Sequence, residues 1–182
     1  MTPTARAYAA AEQPLTAVLD TVPAEAWPQP SPCAGWSARD VVAHLVDTQR
    51  ELLTGHGVDL GEAPDVDADP AAAWREHARR VAAVLADDTV AGKQYDGWFG
   101  PTTVGATLEQ FYVWDMVVHR WDLATATGQD AGLTDAELDR VAAGADSFGD
   151  ALYTDGICRP PVEVPADADR TTTVLARLGR QV

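Results

Sequence analysis

The chain has 182 residues and a formal net charge of −15 at pH 7, from 13 basic and 28 acidic side chains. This acidity disfavours binding to nucleic-acid phosphates and to anionic membrane surfaces. The length fits one folded unit, so we expect residues 1–182 to form a single domain. We expect neither a signal peptide nor a membrane helix. With two cysteines and no CxxC pair, the sequence predicts a soluble cytoplasmic protein with free thiols.

Hydrophobic periodicity predicts helices that are separated by links rich in proline, glycine and aspartate. The first helix covers about residues 4–22, and Pro14 is expected to kink it or delay its start. The second begins at Ser37, because Asp40 follows three residues later in the spacing of a capping box. The third begins at Asp69, which caps a helix whose first residue is a proline.

An aromatic link over residues 93–102 separates the third and fourth helices. It contains Trp98 and Phe99, which is unusual for a solvent loop, so we expect it to fold back onto the domain as a short hairpin or an irregular turn. The fourth helix runs from about Thr103 to Thr127. The fifth begins at Thr134 in a second capping box.

A tail rich in proline and aspartate over residues 159–170 precedes a short terminal helix over residues 172–178. No alternating apolar and polar run is long enough to predict a confident strand. The sequence therefore predicts an all-α fold, a compact helical bundle with short links.

Two polar residues interrupt the apolar stripe of the fourth helix. Asp115 and His119 are four residues apart, so their side chains project to the same side of the helix. A buried charge without a partner is costly, and a metal ion bound by both side chains is one way to satisfy them. A hydrogen-bonded surface pair is the alternative. His44 lies on the inward side of the second helix and would add a third donor if the two helices are neighbours.

Two imidazoles and one carboxylate leave a position open for water or substrate, as in catalytic rather than structural zinc sites. Nickel, manganese and ferrous iron fit the same donors, so a ferrous oxygenase is a further hypothesis. Two alternatives stay open. In one, His44 is a core histidine whose hydrogen bonds are satisfied, and in the other His77 is a competing third ligand. Asp122 is a candidate partner for an imidazole N–H of His119, and a salt bridge would suit it equally.

Cys33 lies in a proline-rich link, with no histidine adjacent in sequence and no helix N-terminus directly after it. We therefore interpret it as a packing residue rather than a nucleophile. The sequence contains no glycine-rich phosphate loop, no G-x-S-x-G and no H-E-x-x-H.

Two stretches resemble the signatures of a known family. Residues 31–45 read SPCAGWSARDVVAHL. They resemble the (T/S)PC-x-x-W-x-(V/A)-x-(D/E)-(V/L)-(V/L)-x-H-(L/I) segment of actinobacterial DinB-like proteins, which are similar to the metal-binding N-terminal domain of mycothiol-dependent maleylpyruvate isomerase. Residues 115–124 read DMVVHRWDLA and resemble the second signature, which ends in H-x-W-D-L-A. Residues 175–180, LARLGR, resemble the end of the family.

The resemblance implies a DinB-type four-helix bundle in an up-down-down-up arrangement, with a long crossover between helices two and three and an extra C-terminal helix. It implies a divalent metal, usually zinc, held by His44, Asp115 and His119. Enzymes of the family use low-molecular-weight thiols such as mycothiol or bacillithiol. The expected function is therefore a thiol-dependent S-transferase or isomerase that acts on a small molecule, with no general base assigned.

Two departures limit what the resemblance implies. The isomerase has a further C-terminal domain that this chain is expected to lack, and it has Glu at the position of Asp115, whose side chain is one methylene shorter. Isomerase activity itself is therefore not predicted. We expect substrate contacts from Trp98 and Phe99 and from Trp36. The alternative hypothesis is a non-catalytic bundle that forms a homodimer or binds a small molecule.

Overall fold

The computed structural model describes residues 1–154 and 156–181. In chain order its α-helices are α1 (Pro3–Leu19), α2 (Ala38–Gly55), α3 (Pro70–Val84), α4 (Asp88–Ala91), α5 (Val104–Thr107), α6 (Val113–Ala126), α7 (Asp135–Phe148) and α8 (Arg170–Ala176). Short 3-10 turns cover Ala24–Ala26 and Gly149–Tyr153, and a π-helical turn covers Leu108–Tyr112. The strands β1 (Gln94–Gly97) and β2 (Gly100–Thr103) form the two-stranded sheet. The predicted all-α fold with a small hairpin is confirmed.

The predicted helix starts are set by side-chain caps. The Ser37 hydroxyl accepts a hydrogen bond from the Asp40 backbone N–H, and the Asp40 carboxylate accepts one from the Ser37 N–H. The same reciprocal pair forms at Thr134 in front of α7. Each bond satisfies a backbone donor that the first helical turn leaves unpaired, so these local sequence signals fix where the helices begin.

Helix α1 begins earlier than Pro14 suggested. Thr2 caps it by accepting from the Ala5 N–H, and Pro3 occupies the first helical position, where a missing N–H costs nothing. The helix then continues through Pro14, so the prediction of a delayed start is wrong. The Thr2 hydroxyl also donates to the Leu85 carbonyl oxygen at the end of α3, which ties the helix start to the bundle.

The aromatic link forms an antiparallel hairpin in which Gln94 faces Thr103 and Gly97 faces Gly100. Trp98 and Phe99 occupy its two-residue turn and are 88% and 58% exposed. Gly100 has a φ of +103°, a backbone conformation that favours glycine. The turn therefore projects two large aromatic side chains into solvent.

The fourth predicted helix is interrupted, which corrects the expectation of one continuous helix over residues 103–127. The π-helical turn Leu108–Tyr112 separates α5 from α6. A π-turn closes its hydrogen bonds over five residues instead of four, so it changes the direction in which the following side chains point. An apolar pattern with a period of 3.6 does not reveal such a turn. The π-helical turn lies directly before the segment that carries Asp115.

The core is built between the long helices. Helices α3 and α6 each pack against both α1 and α2, while α7 packs on the outer side of α6 and α8 on α7. Fully buried apolar side chains from all four inner helices fill the centre, among them Leu15, Leu45, Leu53, Trp74, Val81, Met116 and Leu123. The up-down-down-up course stays a prediction, as does the single domain. Among the described residues, no helix combines the length and hydropathy that crossing a membrane requires.

A buried polar cluster lies in this core. The Tyr8 hydroxyl and the His77 Nε2 both donate to the Gln49 Oε1, each at 3.0 Å, and all three residues are shielded from solvent. Burial, assisted by the charges of Arg50 and Arg80, lowers the pKa of His77 to about 3. His77 is therefore a neutral core histidine. The alternative that it supplies a third metal ligand is wrong, because the donor atoms that converge among the described residues belong to other side chains.

The burial of His77 predicts a loss of stability in acid. His77 stays neutral in the folded chain down to a pKa of about 3, but it takes up a proton near pH 6.5 once unfolded. The free energy of unfolding should therefore fall as the pH drops from 6.5 towards 3. One such group contributes at most about 1.4 kcal/mol per pH unit. Urea unfolding of the metal-free protein across this range would measure the slope.

The variant His77→Gln separates this contribution from those of other titrating groups. Glutamine keeps a donor next to Gln49 but takes up no proton, so the acid slope of the variant should be shallower than that of the wild type. His56→Gln removes an imidazole from the loop after α2 and is the matched control. Equal slopes for His77→Gln and the wild type would contradict the prediction.

Candidate metal centre

Three side chains predicted as ligands come together between α2 and α6. The donor atoms of His44, Asp115 and His119 all lie within 4.8 Å of one another. The His44 Nε2 is 2.9 Å from Asp115 Oδ2, and the His119 Nε2 is 3.2 Å from Asp115 Oδ1. The carboxylate therefore lies between the two imidazoles and contacts each with a different oxygen.

The packing of α2 against α6 produces this convergence. Asp115 and His119 are one turn apart on α6 and lie on the same side. His44 reaches them from α2, where the fully buried neighbours Val41 and Leu45 hold the helix against the core. The side chains of His44 and Asp115 are 28% and 21% exposed, whereas that of His119 is only 4% exposed. One side of the cluster is thus open to solvent.

The charges of the cluster support one another. Burial opposes ionisation of Asp115, but the charge and the hydrogen bond of His119, together with those of His44, outweigh it and hold its pKa well below the usual range. Burial also opposes protonation of His119, yet Asp115 and Asp122 raise its pKa to about 9. Without a metal, His119 therefore carries a proton at neutral pH. That proton must leave before Nε2 can bind a metal ion.

A second carboxylate holds His119 from behind. The His119 Nδ1 donates to Asp122 Oδ2 at 2.8 Å, which leaves Nε2 directed at Asp115. Asp122 is fully buried and accepts two further bonds from Arg180, one from Nη2 at 3.0 Å and one from Nε at 3.3 Å. A carboxylate that accepts from one ring nitrogen fixes the tautomer and orientation of the ring, as is typical of histidines that bind metals.

Sequence reasoning missed Arg180. It lies 58 residues after Asp122, so no helical spacing relates the two, and only the closing LARLGR motif drew notice to this segment. Gly179 explains how the chain returns to the core, since it has a φ of +74° and a Cβ there would lie 2.5 Å from the Cβ of Arg159. The charge of Asp122 overcomes burial and raises the pKa of Arg180. A buried ion pair therefore supports the cluster.

Trp36 forms one wall of the cluster. Its ring centroid is 4.7 Å from that of His44 and 5.8 Å from that of His119. The loop in front of α2 holds it there, because the Trp36 N–H donates to the Cys33 carbonyl and the Ser31 N–H donates to the Trp36 carbonyl. The structure thus places Trp36 beside the donors. Its part in substrate binding stays a prediction.

Trp98 and Phe99 lie at the hairpin turn. The Phe99 ring stacks on Phe111 with centroids 6.2 Å apart and also faces Phe148 at 6.5 Å. Among the described residues, neither hairpin ring is an aromatic neighbour of the two site imidazoles. Contact of Trp98 and Phe99 with a substrate therefore stays a prediction.

The donor set fits a divalent metal. Two imidazole nitrogens and one carboxylate oxygen are three protein ligands, and catalytic zinc sites typically combine three such ligands with an open position. The partly exposed His44 and Asp115 leave that position on the solvent side. A cleft of about 550 Å³ between the loop before α2 and the C-terminal segment lies elsewhere, since its lining includes none of the three donors.

Comparison with known families gives one finding. Residues 8–124 match the family described as "Mycothiol maleylpyruvate isomerase N-terminal domain". The matched region includes most of α1, all of α2 and α3, the hairpin and most of α6, and therefore all three donors. Neither the curated proteins nor the solved structures contain a match to the chain.

Proposed function

Because the chain belongs to the family of mycothiol maleylpyruvate isomerase N-terminal domains, we propose that it is a metal-dependent enzyme that uses a low-molecular-weight thiol in S-transfer or isomerisation. The observation that supports this best is the convergence of His44, Asp115 and His119 on one partly exposed point. Zinc is the proposed metal, with nickel, manganese and ferrous iron as alternatives. The substrate is a small molecule.

The proposed ligands have separate supports in the protein. His119 would bind through Nε2, because Asp122 takes the proton on Nδ1. Asp115 has two oxygens that contact the two imidazoles separately, so it would remain between them. When bound, the metal would stabilise the thiolate form of a thiol in its open position at neutral pH.

Trp36 and the shape of the opening would control what reaches the cluster. The Trp36 ring packs beside both imidazoles and forms one wall of the cluster. A thiol would therefore approach from the side on which His44 and Asp115 are exposed. The proposal also includes the up-down-down-up course of the bundle, a single domain and a cytoplasmic location. It includes substrate contacts from Trp98 and Phe99 as well.

Cobalt(II) offers a direct test, since it takes the same ligands as zinc and its absorption spectrum reports on them. The cobalt-loaded protein should show a new thiolate-to-metal absorption band when a low-molecular-weight thiol is added. The matching alcohol should produce none, which controls for binding elsewhere on the protein. Binding of cobalt without any response to thiols would contradict the proposed thiol chemistry, and failure to bind cobalt or zinc would contradict the metal site.

A second candidate function is a non-catalytic module that forms a homodimer. The observation that favours it is the hairpin turn, where Trp98 is 88% exposed beside the Phe99 and Phe111 rings. Sedimentation equilibrium of the wild type and of Trp98→Ser would test it. A dimer that Trp98→Ser dissociates, in a protein without turnover, would favour this candidate, whereas a monomeric wild type would remove it.

A further inference from the structure

The two imidazoles of the candidate metal centre are held in different ways. The His119 Nδ1 donates to Asp122, as is typical of a histidine that binds a metal. The ring of His44 makes its hydrogen bond through Nε2, which contacts Asp115, and no described residue is a hydrogen-bonding partner of its Nδ1. The orientation of the His44 ring must therefore come from packing.

Two rings pack against the imidazole of His44. The Trp36 centroid lies 4.7 Å from that of His44, with the planes tilted by 45°, and the His119 centroid lies 5.0 Å away with the planes at 72°. The His44 side chain is nevertheless 28% exposed, and exposed side chains change rotamer readily. A rotation towards solvent would carry Nε2 away from Asp115, and the contact with Trp36 opposes that rotation.

The backbone fixes Trp36 in the loop before α2. The Trp36 N–H donates to the Cys33 carbonyl at 3.0 Å, and the Trp36 carbonyl accepts from the Ser31 N–H at 2.8 Å. The Ala38 N–H, at the first position of α2, donates to the Gln29 carbonyl at 2.9 Å and closes the loop at its base. Because the loop is attached to the start of the helix that carries His44, the tryptophan ring has a defined place beside that imidazole.

Trp36 also packs on His119, with centroids 5.8 Å apart and the planes at 28°. The side chain of His119 is only 4% exposed, and Asp122 holds its ring from the other side. The orientation of His119 therefore has a support that is independent of Trp36. Loss of the tryptophan ring should affect His44 far more than His119.

We propose that Trp36 is a positioning residue for His44. Its ring takes the place of the hydrogen-bonding partner that this ligand lacks, and it holds Nε2 against Asp115. The inference rests on the proposed function, because the position of His44 matters only if the cluster binds a metal. It gives Trp36 a part in metal binding that is separate from its predicted contact with a substrate.

The zinc affinities of Trp36→Ala and Trp36→Phe, measured by competition with a chromophoric chelator, test the proposal. Trp36→Ala should lose about 10–100-fold, the range typical of partners that orient a metal ligand. Trp36→Phe keeps an aromatic ring at the same place and should restore most of that affinity. Trp98→Ala removes the 88% exposed tryptophan of the hairpin turn and is the matched control, with the zinc affinity of the wild type. Urea unfolding shows whether each variant folds, and Trp36→Leu replaces Trp36→Ala if that variant does not.

Two further measurements show whether Trp36 acts through His44. In a His44→Ala background, Trp36→Ala should lower the zinc affinity little further, because the ligand that it positions is already gone. Nuclear magnetic resonance of the histidine ring nitrogens in the metal-free protein gives a readout without zinc. Trp36→Ala should change the ring signals of His44 and leave those of His56, at the end of α2, unchanged.

Three outcomes would overturn the proposal. A folded Trp36→Ala could bind zinc as the wild type does, it could lose the same affinity with and without His44, or it could leave the His44 ring signals unchanged. A wild type that binds neither zinc nor cobalt would contradict the proposed function instead. The resonance comparison of the metal-free proteins would still decide whether Trp36 orients His44.

Discussion

The variant His119→Ala is expected to lose zinc. It removes one of three donors and leaves His44 and Asp115, which contact each other at 2.9 Å, without the most buried ligand of the set. Loss of an outer hydrogen-bonding partner alone typically costs about 10–100-fold in metal affinity, so loss of a ligand should cost more than about 100-fold. Competition with a chromophoric chelator would measure the affinity, and elemental analysis after dialysis would measure the metal content.

The control for this variant is His56→Ala. His56 lies at the end of α2, where its Nδ1 contacts the Leu52 carbonyl oxygen, and it is outside the donor set. It should bind zinc as the wild type does. Cys33→Ser and Cys158→Ser add a second control, because sulfur is a common zinc ligand. Wild-type zinc content in His119→Ala, or zinc lost in a cysteine variant instead, would show that the metal lies elsewhere.

The parts of this molecule that sequence predicted well are those set by local spacing. Ser37 and Asp40 predict the start of α2 because a capping box involves only residues three apart. Asp115 and His119 stand out because both interrupt an apolar stripe, one turn apart. The contact of these two with His44 needed one further assumption, that α2 and α6 are neighbours, and the packing meets it.

The parts that sequence missed depend on contacts far apart in the chain or on a local change of helix type. The π-turn Leu108–Tyr112 leaves the apolar pattern nearly unchanged, so a continuous helix was predicted. His77 on α3 was considered as a third ligand because its partner Gln49, which lies on α2, has no spacing relation to it. Arg180 gave no signal by spacing, because only the turn at Gly179 brings it back to Asp122.

The buried pair of Asp122 and Arg180 leads to the second large prediction. Asp122 is fully buried and Arg180 is 5% exposed. Burial opposes ionisation of Asp122, but the hydrogen bond from His119 and the charge of Arg180 outweigh it and lower the pKa of Asp122. Arg180→Met would leave the carboxylate with His119 as its remaining side-chain partner. Removal of one member of a buried ion pair typically costs on the order of 3–5 kcal/mol, so the free energy of unfolding should fall by an amount of that order. Urea unfolding of the metal-free protein measures it.

The same variant should also weaken zinc binding, because Asp122 orients His119 and Arg180 orients Asp122. The expected loss is about 10–100-fold, the range typical of outer partners. The double variant Asp122→Asn/Arg180→Met also removes the buried carboxylate charge that lost its arginine partner, so it should regain stability relative to Arg180→Met. It should not regain zinc affinity, because an amide is a weaker acceptor for the His119 Nδ1–H.

A matched control separates this effect from the loss of any arginine. Arg170 pairs with Asp135 and Asp139 on the surface, where salt bridges contribute little, so Arg170→Met should stay close to the wild type in stability and zinc affinity. If stability and zinc affinity recover together in the double variant, Arg180 affects zinc binding only through the stability of the fold. If stability recovers while affinity stays low, the pair positions His119. Wild-type values of both in Arg180→Met would remove Arg180 from the site.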